Sequence, residues 1–201
     1  MSEYRPLIML AVALTALACG SDADDTSADT LAAVTPEPTC VAGDVALDPG
    51  GIGPLRIGEP IASLPAVCAV TDTTLQMEGM EETARVVMLG DRRVIALTPG
   101  GGANPVVTRI IVDDNAVRTE RGIGVGSTVG DLRTAHGRVC AMMGEGAVVV
   151  VSAGLPGISF ETDTDIRQVT SGGNVDADRI PGTDEITQLW IHGEATTCGG
   201  S

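Results

Sequence analysis

The hydrophobic pattern of the chain predicts six β-strands, arranged as two sets of three. Each strand is a short run rich in β-branched residues and bounded by turn-forming residues. Apolar and polar positions alternate most clearly in the last strand of each set, which predicts one face packed on a core and one face partly in water. The predicted strands are residues 84–89, 93–98 and 107–112 in the first set, and 147–152, 157–162 and 186–191 in the second.

A short segment with helical spacing precedes each set of strands. Apolar residues three positions apart after a polar residue predict a short helix. Ser127 is a suitable N-cap for the second helix, and Pro60 is compatible with the first turn of the first helix. The matching positions are Gly58, Ile61 and Leu64 in the first segment, and Gly126, Val129 and Leu132 in the second.

The repeated pattern predicts an α+β fold made of two tandem units. Each unit is a short helix packed on a three-stranded or larger antiparallel sheet. The first unit spans residues 40–121 and the second spans residues 122–201. Because a unit of this size buries little apolar surface on its own, we expect the pair to fold as one body.

Residues 1–39 predict an export signal followed by a tether. Residues 7–18 form an uncharged apolar run, shorter than the roughly 20 residues that cross a bilayer and typical of a signal peptide spanning 1–18. The sequence Thr-Ala-Leu-Ala-Cys-Gly at 15–20 resembles the lipobox of bacterial lipoproteins. This resemblance implies that Cys19 carries acyl chains such as palmitate and becomes the mature N-terminus. The alternative is an ordinary secretory signal in which Cys19 is incidental.

The segment at 19–39 is expected to be the lipid anchor and a disordered acidic tether. It contains five acidic residues, no basic residue and two prolines, so it buries too little apolar surface to fold. In the family that the lipobox resembles, Gly20 rather than Asp after the cysteine implies the outer membrane. We therefore expect a lipoprotein of the cell envelope that faces the periplasm or the cell surface.

Composition narrows the classes of function. The chain has a net charge of -15, and all twelve of its basic residues are arginine. Without lysine it has no P-loop lysine and no Schiff-base chemistry. The acidic charge and the presence of only three aromatic residues disfavour nucleic-acid binding. We expect contact with a membrane only through the lipid anchor.

Four cysteines remain after Cys19, and their even number in an exported chain predicts two disulfide bonds. Three pairings are possible. Cys68 and Cys140 occupy equivalent places in the two units, and equivalent positions in tandem units rarely face each other. The repeat therefore favours pairing within each unit, as Cys40–Cys68 and Cys140–Cys198.

The acidic loop at 163–185 is a candidate calcium site. Asp176, Asp178 and Glu185 have part of the spacing of an EF-hand loop, but Arg179 stands where that loop requires glycine. A calcium-dependent binding module is therefore an alternative function. The competing interpretation is a solvated acidic loop that joins two strands.

Enzymatic chemistry has little support in the sequence. His136 and His192 are the only histidines, and the chain has no G-x-S-x-G motif, so a periplasmic hydrolase is the least favoured function. The glycines at 122–126 do not complete a G-x-G-x-x-G motif, and we expect no cofactor. Trp190 is expected in the core, because Ile111 occupies the same position in the first unit. The alternative is an exposed side chain that anchors a binding partner.

The repeated pattern of glycine, short helix, cysteine and antiparallel strands resembles the tandem-repeat fold of the β-lactamase inhibitory proteins. It is also similar to the outer-membrane lipoproteins of the BamE (SmpA/OmlA) type. The resemblance spans about 50–192 and implies a domain without catalysis that binds an envelope protein or supports envelope assembly. After removal of the signal only Phe160 and Trp190 are aromatic, so no contact residue of the aromatic-rich inhibitory proteins carries over.

Overall fold

A large antiparallel sheet organises the part of the chain that the computed structural model describes. The described residues are 47–77, 79–100, 102–144, 146–171 and 174–192, together with Cys40 and Cys198. The signal, Cys19 and the tether predicted within residues 1–39 lie outside them. No helix of the described ranges is long and apolar enough to cross a membrane.

The described elements are mostly strands. Two single turns of 3₁₀-helix, Ile61–Ser63 and Ala177–Arg179, lie between them. In chain order the remaining elements are β1 (Gly51–Ile52), β2 (Leu55–Arg56), β3 (Ala69–Met77), β4 (Met80–Leu89), β5 (Arg92–Leu97), β6 (Arg109–Val112), α1 (Val129–His136), β7 (Val139–Gly144), β8 (Ala147–Ser152), β9 (Ile158–Thr162), α2 (Ile166–Val169), β10 (Thr170–Ser171), β11 (Asn174–Val175) and β12 (Ile186–His192).

Eight of the strands form one sheet in the order β3-β4-β5-β6-β12-β9-β8-β7, and every neighbouring pair is antiparallel. The six predicted strands correspond to β4, β5, β6, β8, β9 and β12. The first three predicted strands lie in one half of the sheet and the last three in the other. The halves meet where β6 pairs with β12, and Ile111 lies opposite Trp190. The two predicted units therefore share a single sheet.

The predicted α+β fold class is wrong, because the described structure is mostly β. The first predicted helix is only the 3₁₀ turn Ile61–Ser63, and none of its residues is buried. The backbone of Leu64 is already extended, with φ -61° and ψ 143°. Leu64 precedes Pro65, and the proline ring disfavours helical geometry in the residue before it. A helix packed on a sheet is thus not repeated in the first half.

The eight-stranded sheet also contains two strands that the sequence pattern did not predict, β3 and β7, and these increase the proportion of β structure. β3 begins directly after Cys68, and β7 contains Cys140. β3 contains three threonines and one valine, residue types that favour strands. Its side chains are mostly exposed on both faces, so no alternating apolar pattern marks it in the sequence. These two strands form the outer edges of the eight-stranded sheet.

The helix α1 is held at its start by a reciprocal capping box. The N-cap is Thr128 rather than Ser127, since the Asp131 N–H donates to Thr128 Oγ1 at 3.0 Å. The Thr128 N–H donates in turn to the Asp131 carboxylate, also at 3.0 Å. Hydrogen bonds to that carboxylate lower the pKa of Asp131. The box orients α1 so that Val129 and Leu132 are buried in the core.

The main core covers one face of the sheet, which we call the closed face. It includes Val129 and Leu132 of α1, together with alternate residues of the central strands. Because successive strand side chains point to opposite faces, the residues between them belong to the other face, which we call the open face. The open face carries a smaller buried cluster of Met77, Ala84, Ile95, Leu97 and Ile111.

Each predicted unit contains one disulfide bond. The two bonds are Cys40–Cys68 and Cys140–Cys198, which is the pairing expected from the repeat. Cys68 lies immediately before β3 and Cys140 lies in β7, so each bond is attached at an outer edge of the sheet.

Candidate functional site

Trp190 lies on the open face of the sheet, in the central strand β12. It is directly opposite Ile111 of β6 on one side and Ser159 of β9 on the other. Its neighbours in sequence, Leu189 and Ile191, are fully buried in the main core. The alternation of strand side chains therefore places Trp190 on the opposite face, where it is only partly buried. Trp190 packs against the smaller buried cluster of the open face, so it borders that cluster and does not belong to the main core.

A cavity of about 200 Å³ lies on one side of the Trp190 side chain. Its apolar wall and its polar groups come from five strands of the sheet. The apolar side chains are Met142, Val149 and Trp190, and the polar ones are Arg109, Ser159, Glu161 and His192.

A second cavity, of about 270 Å³, is adjacent to the first. Trp190 and Glu161 line both cavities, which places the indole side chain between them. The remaining lining residues of the second cavity are Leu75, Gln76, Met77, Ile95, Ile111 and Gln188. We call the two cavities together the Trp190 groove.

The most polar part of the groove contains a hydrogen bond between Ser159 and His192. The serine Oγ lies 2.7 Å from Nε2 of the imidazole. Burial, together with the smaller effect of the nearby positive charge of Arg109, lowers the pKa of His192 to about 4. The ring is therefore neutral at neutral pH and can accept a hydrogen bond or donate one.

Arg109 is the cationic group of the groove. It lies opposite His192, at the first position of β6, and its side chain is exposed. None of the ion pairs within the described ranges involves Arg109. Its guanidinium group is thus available to an anionic group of a ligand.

The Ser159–His192 pair differs in its partners and exposure from the serine–histidine pair of a hydrolase. A serine nucleophile needs a base that a third group orients, and donors that stabilise the oxyanion. Among the described residues no carboxylate is hydrogen-bonded to His192, and Ser159 lies within β9, paired with strands on both sides. Ser159 is also only 5% exposed. With a pKa of about 4, His192 is a weak base at neutral pH.

His136 has different surroundings from His192. It ends α1, is buried, and its Nε2 lies 3.4 Å from Oγ1 of Thr119. Burial lowers the pKa of His136, and the charge of Arg121 adds to the effect. No groove residue is among the hydrogen-bond partners described for its side chain. The structure therefore does not bring the two histidines into one site.

The structure does not bring the calcium candidates together either. Asp176 accepts a hydrogen bond from the backbone N–H of Asp178 at 3.0 Å, which caps the second 3₁₀ turn. The Glu185 N–H donates to Asp163 Oδ1 at 2.7 Å. The first is a local cap, and the second joins the two ends of the acidic loop. Within the described ranges, no group of three or more His, Cys, Asp or Glu side chains is arranged to hold a metal ion.

Comparisons with known proteins find similarity among solved structures. No protein-family model matches the chain, and no curated protein matches it. Among solved structures, the crystal structure of the uncharacterized protein yfeY from Escherichia coli is similar, with a TM-score of 0.48 and 18% sequence identity. The match covers 73% of this chain and 99% of that chain.

Proposed function

We propose that the protein is an envelope-anchored lipoprotein whose domain binds another protein without catalysing a reaction. The binding surface in this proposal is the Trp190 groove. The observation that carries the proposal is the position of Trp190, a partly exposed indole between two cavities on the open face. Tryptophan and arginine are the residues most enriched among those that dominate binding energy at protein interfaces. The groove offers both, as Trp190 and Arg109.

The size of the groove supports a protein segment as its ligand. Each cavity is smaller than the roughly 300–1,000 Å³ of ordinary small-molecule pockets. The cavities, of about 200 and 270 Å³, are instead comparable to single large side chains. Two adjacent cavities therefore suit the side chains of an extended segment better than one compact molecule.

The proposed location rests on the sequence and on the disulfide bonds. The apolar run at 7–18, Cys19 and the tether at 19–39 have the order expected of a lipoprotein. Disulfide bonds such as Cys40–Cys68 and Cys140–Cys198 persist in oxidising compartments, the periplasm among them.

Photo-cross-linking in living cells tests the proposed surface. A photoreactive phenylalanine derivative is placed at Met142, which lines the groove and is 42% exposed. The matched control carries the same group at Val67, which is 61% exposed and does not line either cavity. We expect a discrete cross-linked protein at Met142 that is absent at Val67. Adding Trp190→Ala to the Met142 variant should abolish that product.

Cross-linking of equal strength at both positions, or no product at Met142, would contradict a binding surface in the groove. A product that survives Trp190→Ala would show that the partner binds elsewhere on the sheet.

A further inference from the structure

We infer that the Arg109 end of the Trp190 groove binds the C-terminal carboxylate of the partner chain, with the last side chain of that partner, an apolar one, packed on Trp190. The inference rests on the proposed function and names the chemical feature of the partner that the groove recognises.

The first argument is charge complementarity. Arg109 has no carboxylate partner among the described ion pairs, although the protein as a whole carries a net charge of -15. A guanidinium group donates two parallel hydrogen bonds to one carboxylate, which makes this pairing strong and directional. An incoming carboxylate therefore supplies a partner that none of the described carboxylates provides.

The second argument is the polar pair beside Arg109. His192 lies directly opposite Arg109 in the β6–β12 ladder, and Ser159 is hydrogen-bonded to it at 2.7 Å. Because the imidazole is neutral, the pair retains a hydroxyl or ring N–H proton that can be offered to a ligand oxygen. One carboxylate has about four acceptor sites, enough to bind Arg109 and this pair together.

The acidic residue of the groove, Glu161, lines both cavities and so lies between the two ends of the groove. Glu161 pairs with Gln188 of β12, whereas Arg109 pairs with His192. Positions 188 and 192 are four residues apart, which corresponds to about 13 Å along a strand. Glu161 therefore disfavours a carboxylate near the middle of the groove, which leaves the position beside Arg109 as the favourable one.

Arg109 and His192 also lie at the ends of their strands within the described residues. Arg109 is the first residue of β6 and His192 is the last residue of β12. Because the carboxylate and the side chain of a C-terminal residue are attached to the same Cα, that one residue can reach both Arg109 and the adjoining cavity. The adjoining cavity of about 200 Å³ and its apolar side chains Met142, Val149 and Trp190 then receive the last side chain of the partner.

Tryptophan fluorescence of the full-length protein, with both disulfide bonds intact, tests the inference. Trp190 is the only tryptophan of the chain, so its emission reports occupancy of the groove. The probes are the tryptophan-free peptides acetyl-Ala-Ala-Leu with a free carboxylate and the same peptide as its carboxamide. We expect the free acid to bind about tenfold more tightly than the amide, as for a hydrogen bond to a charged group.

A third probe separates a chain terminus from an acidic side chain. The peptide acetyl-Ala-Glu-Leu carboxamide carries its carboxylate at an internal position, and we expect it to bind no better than the neutral amide. Binding of this peptide as tightly as the free acid overturns the assignment to a C-terminus.

Substitutions of Arg109 test whether its guanidinium group is the cation that binds the peptide carboxylate. Arg109→Gln should reduce the preference for acid over amide from about tenfold to about one, and Arg109→Lys should leave an intermediate preference. The matched control is Arg179→Gln, an exposed arginine that lines neither cavity, and it should keep the full preference.

Equal binding of acid and amide by the unaltered protein overturns the carboxylate subsite. If cross-linking at Met142 persists in that case, the proposed binding surface stands and only the inference fails. Absence of both the cross-link and any fluorescence change overturns the proposed function as well.

Discussion

Ser159 and His192 lie on neighbouring strands with the serine Oγ 2.7 Å from Nε2 of the imidazole. The ring is partly buried beside Arg109, and both conditions disfavour its protonated form. As a result the pair stays uncharged at neutral pH, and Arg109 supplies the only positive charge among the residues that line the groove. This relationship makes the stability of the domain dependent on pH.

The protein should lose stability as the pH falls from about 6.5 to about 4. A histidine in an unfolded chain has a pKa of about 6.5, whereas folding lowers the pKa of His192 to about 4. Between these values the unfolded chain binds a proton that the native ring does not, so acid favours unfolding. Above about pH 6.5 the contribution is fully present. We expect a loss of about 1–2 kcal/mol, after allowing for solvent screening of a partly exposed ring.

Urea unfolding at several pH values in this window measures the effect, with His192→Gln as the comparison. Carboxylates such as Asp131 and Asp165 have lowered pKa values and also contribute as the pH approaches their range. His136 contributes in the same direction as His192. These groups are common to both proteins, so the difference between them isolates His192. Identical pH profiles for the two proteins would contradict the prediction.

Substitution of the two aromatic side chains should separate the closed face from the open face. Phe160 is fully buried in the main core, so Phe160→Ala should lower the free energy of unfolding by about 3–5 kcal/mol. Trp190 is partly exposed, so Trp190→Ala should cost less than about 2 kcal/mol. Chemical denaturation followed by circular dichroism provides the comparison. A larger loss of unfolding free energy for Trp190→Ala than for Phe160→Ala would indicate that the main core lies on the open face.

Removal of the disulfide bonds should destabilise the domain in an order set by loop length. The cysteines of Cys140–Cys198 are 58 residues apart, and those of Cys40–Cys68 are 28 apart. In the chain-entropy model the losses are about 4 and about 3.5 kcal/mol, because the longer loop gives the unfolded chain more freedom when it is opened. Paired substitutions to alanine, compared by denaturant unfolding, measure both losses. The reverse order would show that local packing outweighs loop entropy.

Replacement of Cys19 tests the proposed lipid anchor. Cys19→Ser should move the protein from the membrane fraction to the soluble fraction, because the acyl chains would have no attachment point. Mass spectrometry of the mature N-terminus should detect an acylated cysteine in the unaltered protein. Ser27→Ala, a change within the predicted tether, is the matched control and should leave the membrane association unchanged. A free Cys19 thiol in the mature protein would contradict the prediction.

The prediction of a helix was wrong for the first segment and correct for the second, although both segments have the same spacing of apolar residues. Apolar residues three apart occur in both predicted helices, but only the second segment forms a helix longer than one turn. There the capping box of Thr128 and Asp131 stabilises the first turn. In the first segment, Pro65 forces an extended backbone at Leu64. Greater weight on this proline would have corrected the prediction from the sequence.

The groove was less predictable than the strands that form it. Ser159, Arg109 and Glu161 are ordinary strand residues, separated in sequence by up to 52 positions, and no motif connects them. His192 was singled out only as one of two histidines. Because Leu189 and Ile191 flank Trp190, the sequence indicates that Trp190 faces the opposite side of the strand from these two residues. It does not indicate which residues cover either face of the sheet.

The amino-acid sequence by itself determined the positions of six strands and the pairing of four cysteines. Runs of β-branched residues and a repeated spacing are local properties of the chain, and they survive in the folded protein. Only the tertiary structure decided that both halves join through β6 and β12 and that α1 contributes to the core of the closed face. Those outcomes depend on contacts between residues far apart in the chain. The same contacts place Trp190 beside Ser159 on the open face.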